Sequence, residues 1–186
     1  MGRYLKKHLV LGLGYGLVMI GLKWWQGRWG ESYFWQDSLW FGLGVIVGVW
    51  LLFLDRLVYV YMYPEEQLSQ QVIYWWKQKK YWQSLALLDA RRSEQNRLML
   101  RSALFMGIWV LLALFSLTSS LSFFGRGVVM GMMWHSLCDA WRLQRLNKQR
   151  LNQRLFWQIK REVSEEEKVG FLVVVSLIFG LLSWWM

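Results

Sequence analysis

The chain has 186 residues, the length of one ordinary domain, yet 55% of them are hydrophobic, with 15 Trp and a single Pro, a composition foreign to soluble domains of this size. Its net charge of +10 suits nucleic acid, a membrane surface or membrane topology alike, so the position of the charges along the chain has to decide between them. The lone cysteine, Cys138, excludes an intrachain disulfide and leaves the redox compartment open.

Apolar residues are clustered. Residues 9–22, 38–54, 102–117 and 169–186 contain no Asp, Glu, Lys or Arg, and the two longest runs approach the roughly 18 to 20 residues that cross a hydrocarbon core. The basic residues fall between these runs. Arg3, Lys6 and Lys7 precede the first; Arg56, Lys77, Lys79, Lys80, Arg91, Arg92, Arg97 and Arg101 separate the second from the third; eight more lie over 142–168. Only Lys23, Arg28 and Arg126 lie elsewhere, the asymmetry expected when Lys and Arg stay on the cytoplasmic side. The sequence therefore predicts an all-α, polytopic helical membrane protein of about five transmembrane helices with short cytoplasmic amphipathic helices. The N-terminus is expected in the cytoplasm and the C-terminus on the opposite side, in a bacterial plasma membrane.

In chain order, residues 1–63 form a first transmembrane hairpin. Its opening span, about 8–25, has a basic start like a signal peptide but runs into Lys23, Trp24 and Trp25 rather than a small-residue cleavage site, and reads as uncleaved. Lys6 stands where a myristoylation pattern needs Ser or Thr. Trp24, Trp25, Trp29, Tyr33, Phe34 and Trp35 suit an aromatic belt on the far side. Span two covers about 37–54 and continues as helix through Asp55 and Arg56 towards Tyr59, Tyr61 and Tyr63.

Pro64 disfavours helix at Tyr63 and fits the first turn of a new helix, with Glu65 and Glu66 at the positive end of its dipole. Residues 64–101 then read as a cytoplasmic amphipathic helical hairpin. Leu68, Val72, Trp75 and Trp76 share its first face, and Trp82, Leu85 and Leu88 its second. Residues 102–141 must cross twice if the following basic residues are to lie inside, turning at 118–120 or 125–127. Residues 142–164 form a basic cytoplasmic helix with Leu151, Leu155, Ile159 and Val163 on one face. Ser164 and Glu167 make a capping box that starts the C-terminal transmembrane helix of 165–186.

Chemical signals are sparse. His135 and Asp139 stand four apart on one helical face beside Cys138, and Asp55 and Arg56 end span two, so these five form a candidate polar intramembrane site. Against a catalytic or metal role stands the plainer expectation that Asp139 pairs with Arg142 or water at the interface and that His135 is a satisfied interior residue. Two His and one Cys are too few for a closed zinc site. The Gly-Leu-Gly-Tyr-Gly run at 12–16 lacks the pore helix a potassium filter needs. The spacing Gly12/Gly16, Gly44/Gly48 and Gly127/Gly131 instead predicts close helix crossings. Lys77, Lys79 and Lys80 among Trp75 and Trp76, and Arg145, Arg150 and Arg154, are assigned to contact with anionic lipid headgroups or a protein partner rather than nucleic acid.

No phosphate-binding Gly loop, HExxH or GxSxG occurs. No catalytic residue, metal or cofactor is assigned. The sequence favours a non-enzymatic accessory, assembly or scaffold subunit that docks a partner, a second copy or lipid through its basic helices. A small oligomeric transporter or channel component is the alternative, and a lipid-modifying membrane enzyme a third.

Overall fold

The structure, a computed structural model, describes residues 3–27, 34–95, 97–119 and 121–186, with the backbone alone over 3–9. The described residues are 80% helical and contain no strand. Arg28, Trp29 and Tyr33, Ser120, and the side chains of Arg3, Lys6 and Lys7 lie outside the described residues. The helices are α1 (Arg3–Trp25), α2 (Phe34–Met62), α3 (Gln67–Lys77), α4 (Tyr81–Ala90), α5 (Ala103–Thr118), α6 (Phe123–Leu146), α7 (Lys148–Leu155) and α8 (Glu165–Trp185).

Two of them, α2 and α8, are long and apolar enough to cross a membrane; residues Val10–Trp25 and α5 are shorter apolar helices. Only 28% of the apolar window of α8 is buried. Val174, Leu177 and Leu181 on α8 face outward, as do Leu17 on α1 and Leu111 and Phe115 on α5. A helix filling the core of a soluble protein would turn such residues inward.

Backbone proximity organises the bundle. Gly44 and Gly48 lie one turn apart on α2, and Gly127 and Gly131 one turn apart on α6. A β-carbon at Gly44 would strike the Phe124 carbonyl, one at Gly48 the Val128 carbonyl, one at Gly127 the Phe41 carbonyl and one at Gly131 the Val45 carbonyl. The two helices therefore run side by side in the same direction, each supplying the groove for the other's backbone. The third predicted pair behaves differently. Gly12 faces the Val49 and Val45 side chains rather than backbone, and Gly16 has open space where a β-carbon would stand.

Around this pair α1, α5 and α8 run the opposite way. Tyr15 of α1 stacks between Trp134 of α6 and Phe179 of α8, with ring centroids 5.2 and 5.3 Å away, and its hydroxyl lies 3.0 Å from Ser183 Oγ. Further along, Lys23 Nζ donates to the Trp184 carbonyl at 3.0 Å. Between α6 and α8, Trp141 Nε1 donates to Ser176 Oγ at 2.9 Å. α5 ends at Thr118 and Ser122 caps α6 by accepting from Gly125 N, so the Gly125-Arg126-Gly127 run is helical. Phe41, Val45, Leu52, Met130, Met133 and Phe179 fill the shared core.

The connecting segments collect at one end. α2 continues past the apolar run to Met62, as expected, and Tyr63 leaves the helix before Pro64. The next helix starts later than Pro64 suggests: 64–66 turn, Glu66 is the N-cap of α3, and its carboxylate accepts the Tyr59 hydroxyl. Lys79, at a φ of 60°, makes the turn into α4. Leu68, Val72 and Leu88 of this hairpin pack on Tyr59 and Val60, leaving Tyr81 and Trp82 exposed.

The single basic helix expected over 142–164 is instead broken. Asn147 ends α6 and caps α7 by accepting from Arg150 N, and the chain leaves helix again after Leu155. There Phe156 packs edge-on against Phe171. Leu151, Leu155 and Val163 are buried, but the break turns Ile159 outward. The capping box at Ser164 and Glu167 is formed, reinforced by two hydrogen bonds from Arg161 to the Glu167 carboxylate at 2.7 and 3.1 Å.

Because carbonyl oxygens cannot yield as side chains do, Gly48→Ala is expected to destabilise the fold by about 1–3 kcal/mol, the range for overpacking a tight contact. Gly16→Ala, which meets open space, should be neutral or stabilise by up to about 1 kcal/mol through helix propensity. Thermal unfolding of both variants in mild detergent, followed by circular dichroism, measures the contrast. Equal effects at the two positions would refute the parallel α2–α6 crossing.

Candidate functional site

Below the glycine crossing, α2 and α6 each bring an acidic residue to the same level. Consecutive positions on a helix point about 100° apart, so Asp55 and Arg56 separate. Asp55 turns inward and is fully buried, while Arg56 turns to α4, where its Nη1 reaches Asp89 Oδ1 at 2.9 Å. The Arg56 guanidinium also lies 5.3 Å above the Phe53 ring. On α6, His135 and Asp139 occupy one face, as their spacing predicts. His135 is buried with its ring edge-on to Phe53, centroids 6.0 Å apart.

Two arginines converge on Asp139 from outside the helix pair. Arg101, in the turn before α5, places Nη1 2.7 Å from Asp139 Oδ2, and Arg154 of α7 places Nη1 3.0 Å from the same oxygen. Arg101 also donates from Nη2 to the Leu52 carbonyl at 3.2 Å, and its Nε lies 4.0 Å from Asp55 Oδ2. Asp55 Oδ1 accepts from the Leu100 backbone N–H at 3.1 Å. Asp55 is 0% exposed, Arg101 3%, Asp139 5% and Arg154 7%. Two acidic side chains and two guanidiniums thus form one enclosed cluster that ties α2, α6, α7 and the start of α5 together.

Isolated, either carboxylate would carry a desolvation cost of several kcal/mol. Sharing Asp139 Oδ2 between two forked, always-cationic guanidiniums offsets that cost, and the charge-assisted geometry fixes where both arginines must sit. The cluster is therefore a latch. Its net contribution to stability is small compared with the penalty for breaking it.

The sequence-predicted trio is split by this arrangement. Asp139 joins the latch and His135 sits one turn above it, whereas Cys138 looks the other way into a groove lined by Trp134, Trp141 and Ser176. Among the described residues no group of three His, Cys, Asp or Glu side chains comes together to hold a metal ion. Asp139 meets Arg101 and Arg154, and Arg154, assigned by sequence to a lipid- or partner-facing stripe, points inward. Lys77, Lys79, Lys80 and Arg145 are exposed, and Trp75 and Trp76 are half-buried. Trp76 Nε1 donates to Ser84 Oγ at 2.6 Å, tying the two halves of the hairpin. Arg150 is half-buried and donates to the Arg92 carbonyl at 2.7 Å, joining α7 to the hairpin's end.

Sequence reasoning counted Arg101 only as a topological charge. The available signal was its position: it is the last cation before the apolar run of α5 and adjoins the Ser102 N-cap, within reach of any acid buried at that depth. No protein-family model, curated protein or solved structure matches the chain.

Removing one side of a buried pair strands the other. Asp139→Asn is accordingly expected to cost about 3–5 kcal/mol in denaturant unfolding from detergent, and Arg101→Met a similar amount. In the double variant the two losses should fall short of additive by at least about 1 kcal/mol. Strict additivity would mean that the two side chains do not share their energy.

Proposed function

We propose that the chain is a five-span membrane protein acting as a non-enzymatic accessory, assembly or scaffold subunit, and that it docks a protein partner or anionic lipid through its basic cytoplasmic helices. In this reading α1, α2, α5, α6 and α8 are the spans. Their alternating directions support it, because the N-terminus, the α3–α4 hairpin and α7 then share one side with nearly all the Lys and Arg, as cytoplasmic retention of cations requires. The outward apolar faces of α1, α5 and α8 supply the lipid-facing surface such a protein needs.

The observation that carries the functional half is how the ionisable groups are employed. Asp55, Asp139, Arg101 and Arg154 are spent on holding helices together. Lys77, Lys79 and Lys80 instead stand exposed beside exposed Tyr74, Tyr81 and Trp82, and Arg145 is exposed at the end of α6. Cations interleaved with aromatic rings suit headgroups or an acidic partner surface. The transporter alternative gives Asp139 to a permeation route, a use that competes with its two arginine contacts.

Topology and role have separate tests. In a Cys138→Ser background, single cysteines at Ser93 and Trp185 should be labelled by an impermeant maleimide from opposite faces of the membrane; labelling from the same face would refute five spans. A tagged copy purified from its native membrane in mild detergent should bring down a foreign subunit in stoichiometric amount. Recovery of a pure homo-oligomer would favour the transporter reading instead.

A further inference from the structure

On the side of α6 away from the latch, α1, α6 and α8 enclose a groove of about 560 Å³, within the about 300–1,000 Å³ usual for small-molecule sites. Leu11, Trp134, Leu137 and Phe179 make one part of its lining apolar, while Arg142 and Arg145 line it near the C-terminal end of α6. Both arginines are exposed, and their spacing of three places them side by side on the helix surface. Trp141 is fixed at the groove by its hydrogen bond to Ser176. Glu165, which the neighbouring Gln144 contacts, is held by Lys168 at 2.9 Å and Lys148 at 3.6 Å.

We infer that this groove holds one anionic phospholipid, its phosphodiester between Arg142 and Arg145 and an acyl chain along Leu137, Trp134 and Phe179. The inference rests on the membrane reading above. Two features select this occupant. Paired guanidiniums match a phosphodiester oxygen by oxygen, a neutral headgroup offers them no such anion, and the quaternary ammonium of a zwitterionic headgroup adds repulsion from the two cations. The apolar part of the groove opens between α1 and α8, where its own lining residue Leu11 is exposed, so a chain enters it sideways from the bilayer without crossing water.

Cys138 lines the groove and is the only cysteine in the chain, which makes it a built-in reporter. In dodecyl maltoside, alkylation of the full-length protein by N-ethylmaleimide should slow several-fold when dioleoyl phosphatidylglycerol is added. Dioleoyl phosphatidylcholine and soluble glycerol phosphate should leave the rate unchanged, and Arg142→Gln/Arg145→Gln, at two exposed positions, should abolish the protection. The site is overturned by equal protection from both lipids, by protection from glycerol phosphate alone, by protection that survives in the double variant, or by none at all. Alkaline carbonate extraction of native membranes reads the membrane assignment independently. A chain that stays in the pellet while Cys138 gains no protection loses the groove and keeps the membrane.

Discussion

Asp55 and Asp139 sit at one level inside a largely apolar helix pair, and an ionised carboxylate there persists only where cations reach it. That requirement shapes everything at this end of the molecule. Arg101 must lie against α2 and α6 at once, which dictates where α5 begins. Arg154 must reach Asp139 from the far side, so α7 folds back after Asn147 instead of continuing away from α6. The chain thus spends two of its cations on interior architecture.

The glycine crossing and the charge cluster depend on each other. Close backbone approach through Gly44, Gly48, Gly127 and Gly131 brings α2 and α6 near enough for one guanidinium to contact acids on both. The cluster in turn sets the register, because sliding either helix by one turn would carry its acid about 5 Å from Arg101. Packing of small residues supplies contact but little directional preference. Ionic hydrogen bonds supply the preference.

Much of this was legible in the residue order, for identifiable reasons. Local devices read well: Pro64 stopping α2, the capping box at Ser164, and the two glycine pairs that do form a crossing. Each depends on residues within one or two turns. The break after Leu155 was hidden because Leu151, Leu155, Ile159 and Val163 keep an uninterrupted helical period that the packing of Phe156 on Phe171 overrides. The latch was hidden for a different reason. Arg101 and Asp139 are 38 positions apart and Arg154 another 15 beyond, and several arginines were equally eligible by position. Nor does a GxxxG spacing announce its partner: Gly12 and Gly16 carry it without forming a glycine-to-glycine contact.

Two parallel helices cannot be neighbours in a chain that turns back after every pass. α2 must wait for α5 to be made before α6 emerges alongside it, and Asp55 and Asp139 meet their partners in that order of synthesis. Until α6 is made, the Gly44–Gly48 face of α2 has no glycine partner, although Arg101, which precedes α5, is already in the chain. A chain truncated before α6 would accordingly leave the glycine face of α2 uncovered, since Phe124 and Val128, whose carbonyls seat against Gly44 and Gly48, both belong to α6.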